Sequence, residues 1–186
     1  TLPDHLKEEA ELYLEKAKPE EFEDYYRIKC EPFVNYWSRG DEEIPPRENL
    51  YRFYMDCMPP ADGMLSADRV QPGNQGREIY LIQTEEREIA GYLYFDNDGD
   101  TVDLPIALGE RFTGKGLANQ AILAGLALAG ERGCRRSRVE IREDNAASIR
   151  MYTSCGYRPG EKTRDMYVAA TGQIVALYAY EREICN

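Results

Sequence analysis

Phe112-Thr113-Gly114-Lys115-Gly116-Leu117-Ala118 is the stretch from which the fold can be read. Before it, Val102, Leu104, Ile106 and Leu108 are apolar at every second position, which predicts a half-buried strand over residues 101–108. After it, Leu117, Ala121, Ala124 and Leu128 keep the spacing of one helix face. A strand, a glycine-rich turn and a helix in that order aim the helix N-terminus, with its unpaired N–H groups, at whatever lies before the turn. Such an end carries roughly half a positive charge and suits a phosphate. The stretch therefore predicts a site for a phosphate-bearing cofactor.

The rest of the composition narrows the class. A chain of 186 residues, 42% hydrophobic, fits one domain with a sizeable core. No apolar run approaches the roughly 20 residues of a membrane span, and no signal peptide is read at the start. The five cysteines, Cys30, Cys57, Cys134, Cys155 and Cys185, are odd in number and never spaced C-x-x-C, which predicts a reducing, cytoplasmic setting. His5 is the only histidine, so histidine triads and H-E-x-x-H metal sites are excluded, and no metal is expected. Residues 1–100 hold 24 acids and 11 bases (net −13), whereas residues 101–186 hold 10 and 12 (net +2). An acidic chain is a poor nonspecific nucleic-acid binder. The division predicts an anion site in the second half and a neutral or cationic partner for the first.

In chain order, residues 11–16 alternate as a first strand, and Pro19 starts a helix that is expected to break around residues 32–37. Residues 47–58 resume a helical pattern, and 59–75, rich in Pro, Gly and Asp, predict a long loop. Strands follow at 78–84 and 88–95. The turn Asp96-Asn97-Asp98-Gly99-Asp100 resembles a calcium loop only faintly, since Gly99 is misplaced and no glutamate fills the twelfth position. The helix after the glycine turn should end near Gly133. A strand at 138–142 then lies parallel to the one at 101–108, because a helix joins them. Asn145 opens a second helix that closes at Gly156, and 165–169 with 174–180 make a hairpin around Thr171-Gly172.

Two nucleotide readings of the turn fail. Gly109-x-x-x-x-Gly114-Lys115 has the P-loop spacing, but Gly116 stands where a hydroxyl should hold magnesium. A dinucleotide fingerprint needs a last glycine where Asn119 stands. Between Gly116 and Tyr157, however, the chain resembles the acetyl-coenzyme A-binding core of the GNAT superfamily of N-acetyltransferases. The Q/R-x-x-G-x-G/A motif of that family falls on Thr113 to Ala118, with Thr113 in the Gln/Arg slot and Arg111 two residues earlier. Its N-x-x-A/S-x-x-x-Y followed by G-F/Y falls on Asn145, Ser148, Tyr152 and Gly156-Tyr157.

The resemblance implies a mixed α/β fold (α+β): one mostly antiparallel sheet with a splayed parallel pair, flanked by helices, in one N-acetyltransferase domain over 1–186. It implies acceptor-side elements over about 1–75, a cofactor core over about 101–157 and a C-terminal hairpin over about 164–181. Acetyl-coenzyme A would lay its pantetheine arm between the splayed strands, against Ile106 and Leu108. Its pyrophosphate would lie over Thr113, Gly114, Lys115, Gly116, Leu117 and Ala118. Asn145, Ser148 and Tyr152, at i, i+3 and i+7, would line the arm. Tyr152 would be the general acid for the leaving thiolate, and the N–H near Leu108 would hold the oxyanion. The base stays open among Asp103, Glu110 and water. The implied activity is acetyl transfer to a primary amine of a small molecule or peptide N-terminus. The −13 charge favours a cationic amine such as a polyamine, and neither a membrane nor a nucleic acid is an expected partner. The protein would be a monomer or homodimer. A non-catalytic acyl-coenzyme A-binding or sensory domain is the competing reading.

Overall fold

Prolines and glycines set where the apolar runs of this chain stop, and the sheet follows from them. The computed structural model describes residues 12–58 and 76–184. They comprise β1 (Tyr13–Lys16), α1 (Phe22–Lys29), α2 (Pro32–Arg39), α3 (Arg47–Asp56), β2 (Arg77–Gln83), β3 (Ile89–Asp98), β4 (Thr101–Asp103) and β5 (Ile106–Leu108). Then come α4 (Leu117–Glu131), β6 (Arg136–Arg142), α5 (Ala146–Ser154), β7 (Arg158–Val168) and β8 (Gln173–Glu183). The strands form one sheet in the order β1-β2-β3-β4-β6-β8-β7, with β5 also on β3. Only the β4–β6 pair is parallel among the described strands. The fold is therefore mixed α/β, mostly antiparallel, with one parallel pair.

Helices cover both faces of β2 and β3, which explains their continuous apolar reading. Tyr80, Ile82, Leu93 and Phe95 join the core under α4 and α5, with Val102, Val139 and Ile141. Ile79, Leu81, Tyr92 and Tyr94 face the other way, onto Phe22, Tyr25 and Ile28 of α1 and Tyr54 of α3. Because side chains alternate along a strand, Thr101, Asp103, Arg138 and Glu140 share this second face.

The predicted strand at 101–108 is two strands. β4 pairs with β6 only at Thr101–Arg136 and Val102–Ser137. β5 pairs with β3 alone, through Ile106–Leu93, Ala107–Tyr92 and Leu108–Gly91. Between them Pro105 has no N–H to give a ladder, and its carbonyl accepts from Tyr94 N–H at 2.9 Å. The chain stays with β3 and leaves β6, which opens a splay.

Other boundaries also differ from expectation. The first helical stretch breaks at Cys30 and Glu31; Pro32 starts α2, where its missing N–H costs nothing. β3 runs on through Asp98, so the turn before β4 is Gly99-Asp100. β7 and β8 are 11 residues each, well beyond the predicted hairpin. The predicted loop at 59–75 and the first residue of the predicted first strand, Glu11, lie outside the described residues. No described helix is long and apolar enough to cross a membrane.

Candidate functional site

The splay has a definite lining. Gly109 N–H donates to Ala90 O and Tyr94 N–H to Pro105 O, both at 2.9 Å, so odd positions of β5 face β3. By strand alternation the backbone groups of Ile106 and Leu108 turn toward the gap. At one end of the gap lies the glycine turn. Gly114 and Gly116 have φ +73° and +79°, and nothing lies within 4 Å of where a Cβ would stand on either. Gly116 is the N-cap of α4, whose first bond runs from Gln120 N–H to Gly116 O at 3.2 Å. The N–H groups of Leu117, Ala118 and Asn119 thus point out of the helix end. Thr113 differs from expectation, because its N–H and hydroxyl both donate to Glu110 O, at 3.1 and 2.7 Å. Lys115 is exposed, and Arg111 is paired with Glu88.

Helix α5 closes the gap on one face. Asn145 caps it by accepting from Ser148 N–H at 3.1 Å, so these two predicted site residues meet each other. Tyr152 is buried, and its hydroxyl donates to Leu104 O at 2.8 Å. Burial drives its pKa well above the ordinary value; Tyr157 and Asp103 add to the rise, and the nearby backbone of Ile106 opposes it. The hydroxyl is therefore a retained proton at the edge of the splay.

On the other face, a cleft of about 710 Å³ opens over β4, β6 and β7. Asp103 lies in it with a buried Oδ1 that has no hydrogen-bond partner among the described residues. Burial first, then Asp96 and Glu140, raise its carboxyl to about 7, against the pull of Arg77 and the Leu104 N–H. Two neighbouring carboxylates are matched: Arg77 grips Asp96 through two bonds of 2.6 Å, and Arg164 holds Glu140 at 3.0 Å. Glu110, the second candidate base, is exposed, and its N–H donates to Glu31 Oε2 at 3.0 Å, outside this cleft.

Sequence reading missed the wall of cations and aromatic rings that α1 and α2 build. Lys29 Nζ lies 5.6 and 5.7 Å over the Tyr92 and Tyr94 rings, and Arg77 stacks on Tyr94 at 4.7 Å. Arg142, buried at the end of β6, binds Asp144 through two nitrogens and Tyr36 O at 2.9 Å. The only local signal for this wall was a cation among aromatic residues on each helix.

The profile of the family described as "Acetyltransferase (GNAT) family" matches residues 47–157, more than half of the chain. The chain belongs to the GNAT acetyltransferase family. Solved structures agree on the fold. A Vibrio cholerae spermidine N-acetyltransferase in complex with CoA and spermine is 10% identical, with TM-score 0.76 over 93% of this chain and 95% of that one. An N-acetyltransferase from Staphylococcus aureus Mu50 is 15% identical, with TM-score 0.74 over 95% and 100%. A protein provisionally assigned as a phosphinothricin N-acetyltransferase is 18% identical, with TM-score 0.73 over 95% and 100%. No curated protein sequence matches significantly. At these identities the GNAT fold is what the structural likeness establishes.

Proposed function

We propose that the protein is an N-acetyltransferase that moves acetyl from acetyl-coenzyme A to a primary amine by direct attack. The observation that carries this is the splay itself. A helix N-terminus stands at one end, Tyr152 closes one face, and Asp103 lines the cleft on the other. Residues Gly114 to Ala118 would receive the pyrophosphate. The inward groups of Ile106 and Leu108 would pair with the amides of the arm, as an added strand does. Asn145 and Ser148 of α5 would border it. The acceptor would enter from the cleft, between the sheet and the helices of the first half.

In this reading Asp103 takes the proton of the acceptor ammonium, directly or through one water, and a carboxyl near 7 suits that task at neutral pH. The freed nitrogen lone pair forms a bond to the thioester carbon. The carbonyl oxygen, now negative, is held by Leu108 N–H. The C–S bond then breaks, its electrons leave on sulfur, and the Tyr152 hydroxyl gives its proton to the thiolate, while the second proton shed by the new amide nitrogen passes through water to restore the Tyr152 hydroxyl. No step passes through a metal or a covalent enzyme intermediate.

The test is a panel of amines assayed for coenzyme A release, with the acetylated amine identified by mass, beside direct binding of acetyl-coenzyme A. Release with stoichiometric acetyl-amine supports the proposal. Tight binding without release for any amine would overturn it in favour of a binding or sensory domain.

A further inference from the structure

Helix α2 crosses from one half of the sheet to the other, and its start, middle and end are each tied to a different strand. At the start, the Glu31 carboxylate accepts from Glu110 N–H at 3.0 Å, just beyond β5. A Cβ on Gly109 would lie 2.8 Å from Glu31 Oε1 and 3.2 Å from Ile28 Cδ1. Gly109 has φ −57°, which any residue adopts, so the close carboxylate is what glycine accommodates there. In the middle, Tyr36 O accepts at 2.9 Å from Arg142, the last residue of β6. The rings of Tyr36 and Trp37 lie 5.0 and 4.9 Å from the same guanidinium. At the end, Gly40 O accepts from Ala170 N–H at 3.3 Å, and a Cβ on Gly40 would stand 3.1 Å from Tyr167 O and Val168 Cα of β7. Contacts at residues 31, 36 and 40 thus fall on β5, β6 and β7 in turn, across the splay.

Building on the acetyl-transfer reading, we infer that α2 is the strut that sets the width of the gap for the pantetheine arm, with Glu31 and Arg142 as its positioning residues. The strands alone hold the two halves together at one end only. β4 and β6 pair at Thr101–Arg136 and Val102–Ser137, and β5 pairs with β3 and not with β6. Toward the mouth, the separation has to be set from outside the sheet. An arm lying there as an added strand needs two inter-strand spacings, about 9.5 Å. The helix rises roughly 7.5 Å between Glu31 and Tyr36, a step of that order. Both ties resist slipping. Glu31 N–H donates to Ile28 O at 3.1 Å, and Glu31 O accepts from Asn35 N–H at 2.9 Å, so the residue is fixed at the α1–α2 junction. Arg142 is buried and holds Asp144 through its other nitrogens at 2.9 and 2.7 Å, so its planar fork cannot turn without losing three bonds. Glu110 follows Leu108 by two residues, so the same strut fixes the N–H proposed to hold the oxyanion.

Titration calorimetry with acetyl-coenzyme A and with 3′-phospho-ADP, the nucleotide end without the arm, reads the strut apart from the phosphate site. Glu31→Ala and Arg142→Lys should each weaken acetyl-coenzyme A by about tenfold, and 3′-phospho-ADP by about twofold at most. Glu31→Gln, whose amide oxygen can still accept from Glu110 N–H, should restore the affinity for acetyl-coenzyme A. Gly109→Ala should weaken acetyl-coenzyme A in the wild type, where its methyl meets the carboxylate, but add little in the Glu31→Ala background. The Glu31 and Gly109 variants decide alone if Arg142→Lys does not fold. Wild-type affinity in Glu31→Ala, equal losses for both ligands, or a Gln variant no better than Ala would overturn the strut while leaving acetyl transfer standing. No binding of acetyl-coenzyme A by the wild type would overturn both.

Discussion

The Tyr152 hydroxyl donates to the Leu104 carbonyl, one residue after Asp103, so the proposed acid and base meet the chain at adjacent positions where β4 ends. They approach from opposite faces of the sheet, and the departing sulfur and the incoming amine would do the same. The break at Leu104-Pro105 therefore does two things: it opens the gap and it supplies the carbonyl that orients the proposed acid.

Tyr152→Phe removes the proton and leaves Leu104 O, in a buried setting, without its donor. The expected loss in kcat is about 10²-fold or more, the usual range for a general acid. Stability should fall by about 1–3 kcal/mol for the unsatisfied carbonyl. Titration calorimetry with acetyl-coenzyme A should show affinity close to wild type, since the hydroxyl contributes to departure of the thiolate rather than to binding. Full turnover in this variant would remove Tyr152 from the mechanism.

Asp103 makes a prediction about pH in two observables. As the base, it must be ionised, so kcat/KM should rise with pH through about 7, and Asp103→Asn should lose that limb. Stability moves the other way. The folded carboxyl holds its proton up to about 7 and the unfolded one only to its ordinary value of 3.8, so the native state binds more protons between them. The contribution of this group is full below 3.8 and is lost as pH rises through 7. Melting temperatures of the wild type relative to Asp103→Asn should therefore fall between pH 4 and 7, where the Asn variant lacks the effect. A difference independent of pH would contradict the buried, unpaired carboxyl.

The sequence was most legible where a signal was local. The glycine turn, α4, the Asn145 cap and the strands β2 and β3 all announce themselves through neighbours a few residues away. The break inside 101–108 was hidden because Pro105 falls between the alternating apolar positions; the pattern continues although the pairing partner changes. The helix break was misplaced because a proline at a first helical position begins a helix as readily as it ends one. The cleft could not be read at all. Register sets Asp96 against Asp103, and the parallel pairing brings Glu140 near both, so no spacing along the chain foretells them. Asp103 and Glu110 looked equivalent in sequence, and only the fold separates them.

Gly114 and Gly116 test the phosphate end. Alanine at either would be strained by roughly 1–2 kcal/mol at positive φ, and its methyl would project into open space. That space is where the pyrophosphate is proposed to lie. Gly114→Ala and Gly116→Ala should weaken acetyl-coenzyme A binding by about tenfold or more, but leave kcat/KM with S-acetylpantetheine, which lacks the pyrophosphate, nearly as in the wild type. Equal losses with both donors would show that the turn acts only through folding.

Gly91 tests the arm. A Cβ on this β3 residue would lie 2.1 Å from Ala107 O and 2.9 Å from Leu108 Cδ2, both on β5. β5 is bonded to β3 alone, so the relief open to it is movement away from β3, into the splay. Overpacking of this kind typically costs about 1–3 kcal/mol, which a folded domain can survive. The consequence for the donor should be larger than for stability, because the inward groups of Ile106 and Leu108 would shift into the space meant for the arm. Gly91→Ala should therefore lose S-acetylpantetheine as well as acetyl-coenzyme A, the opposite of the pattern at the turn. If Gly91→Ala melted earlier yet kept kcat/KM for both donors, the gap between β5 and β6 would not be where the arm binds.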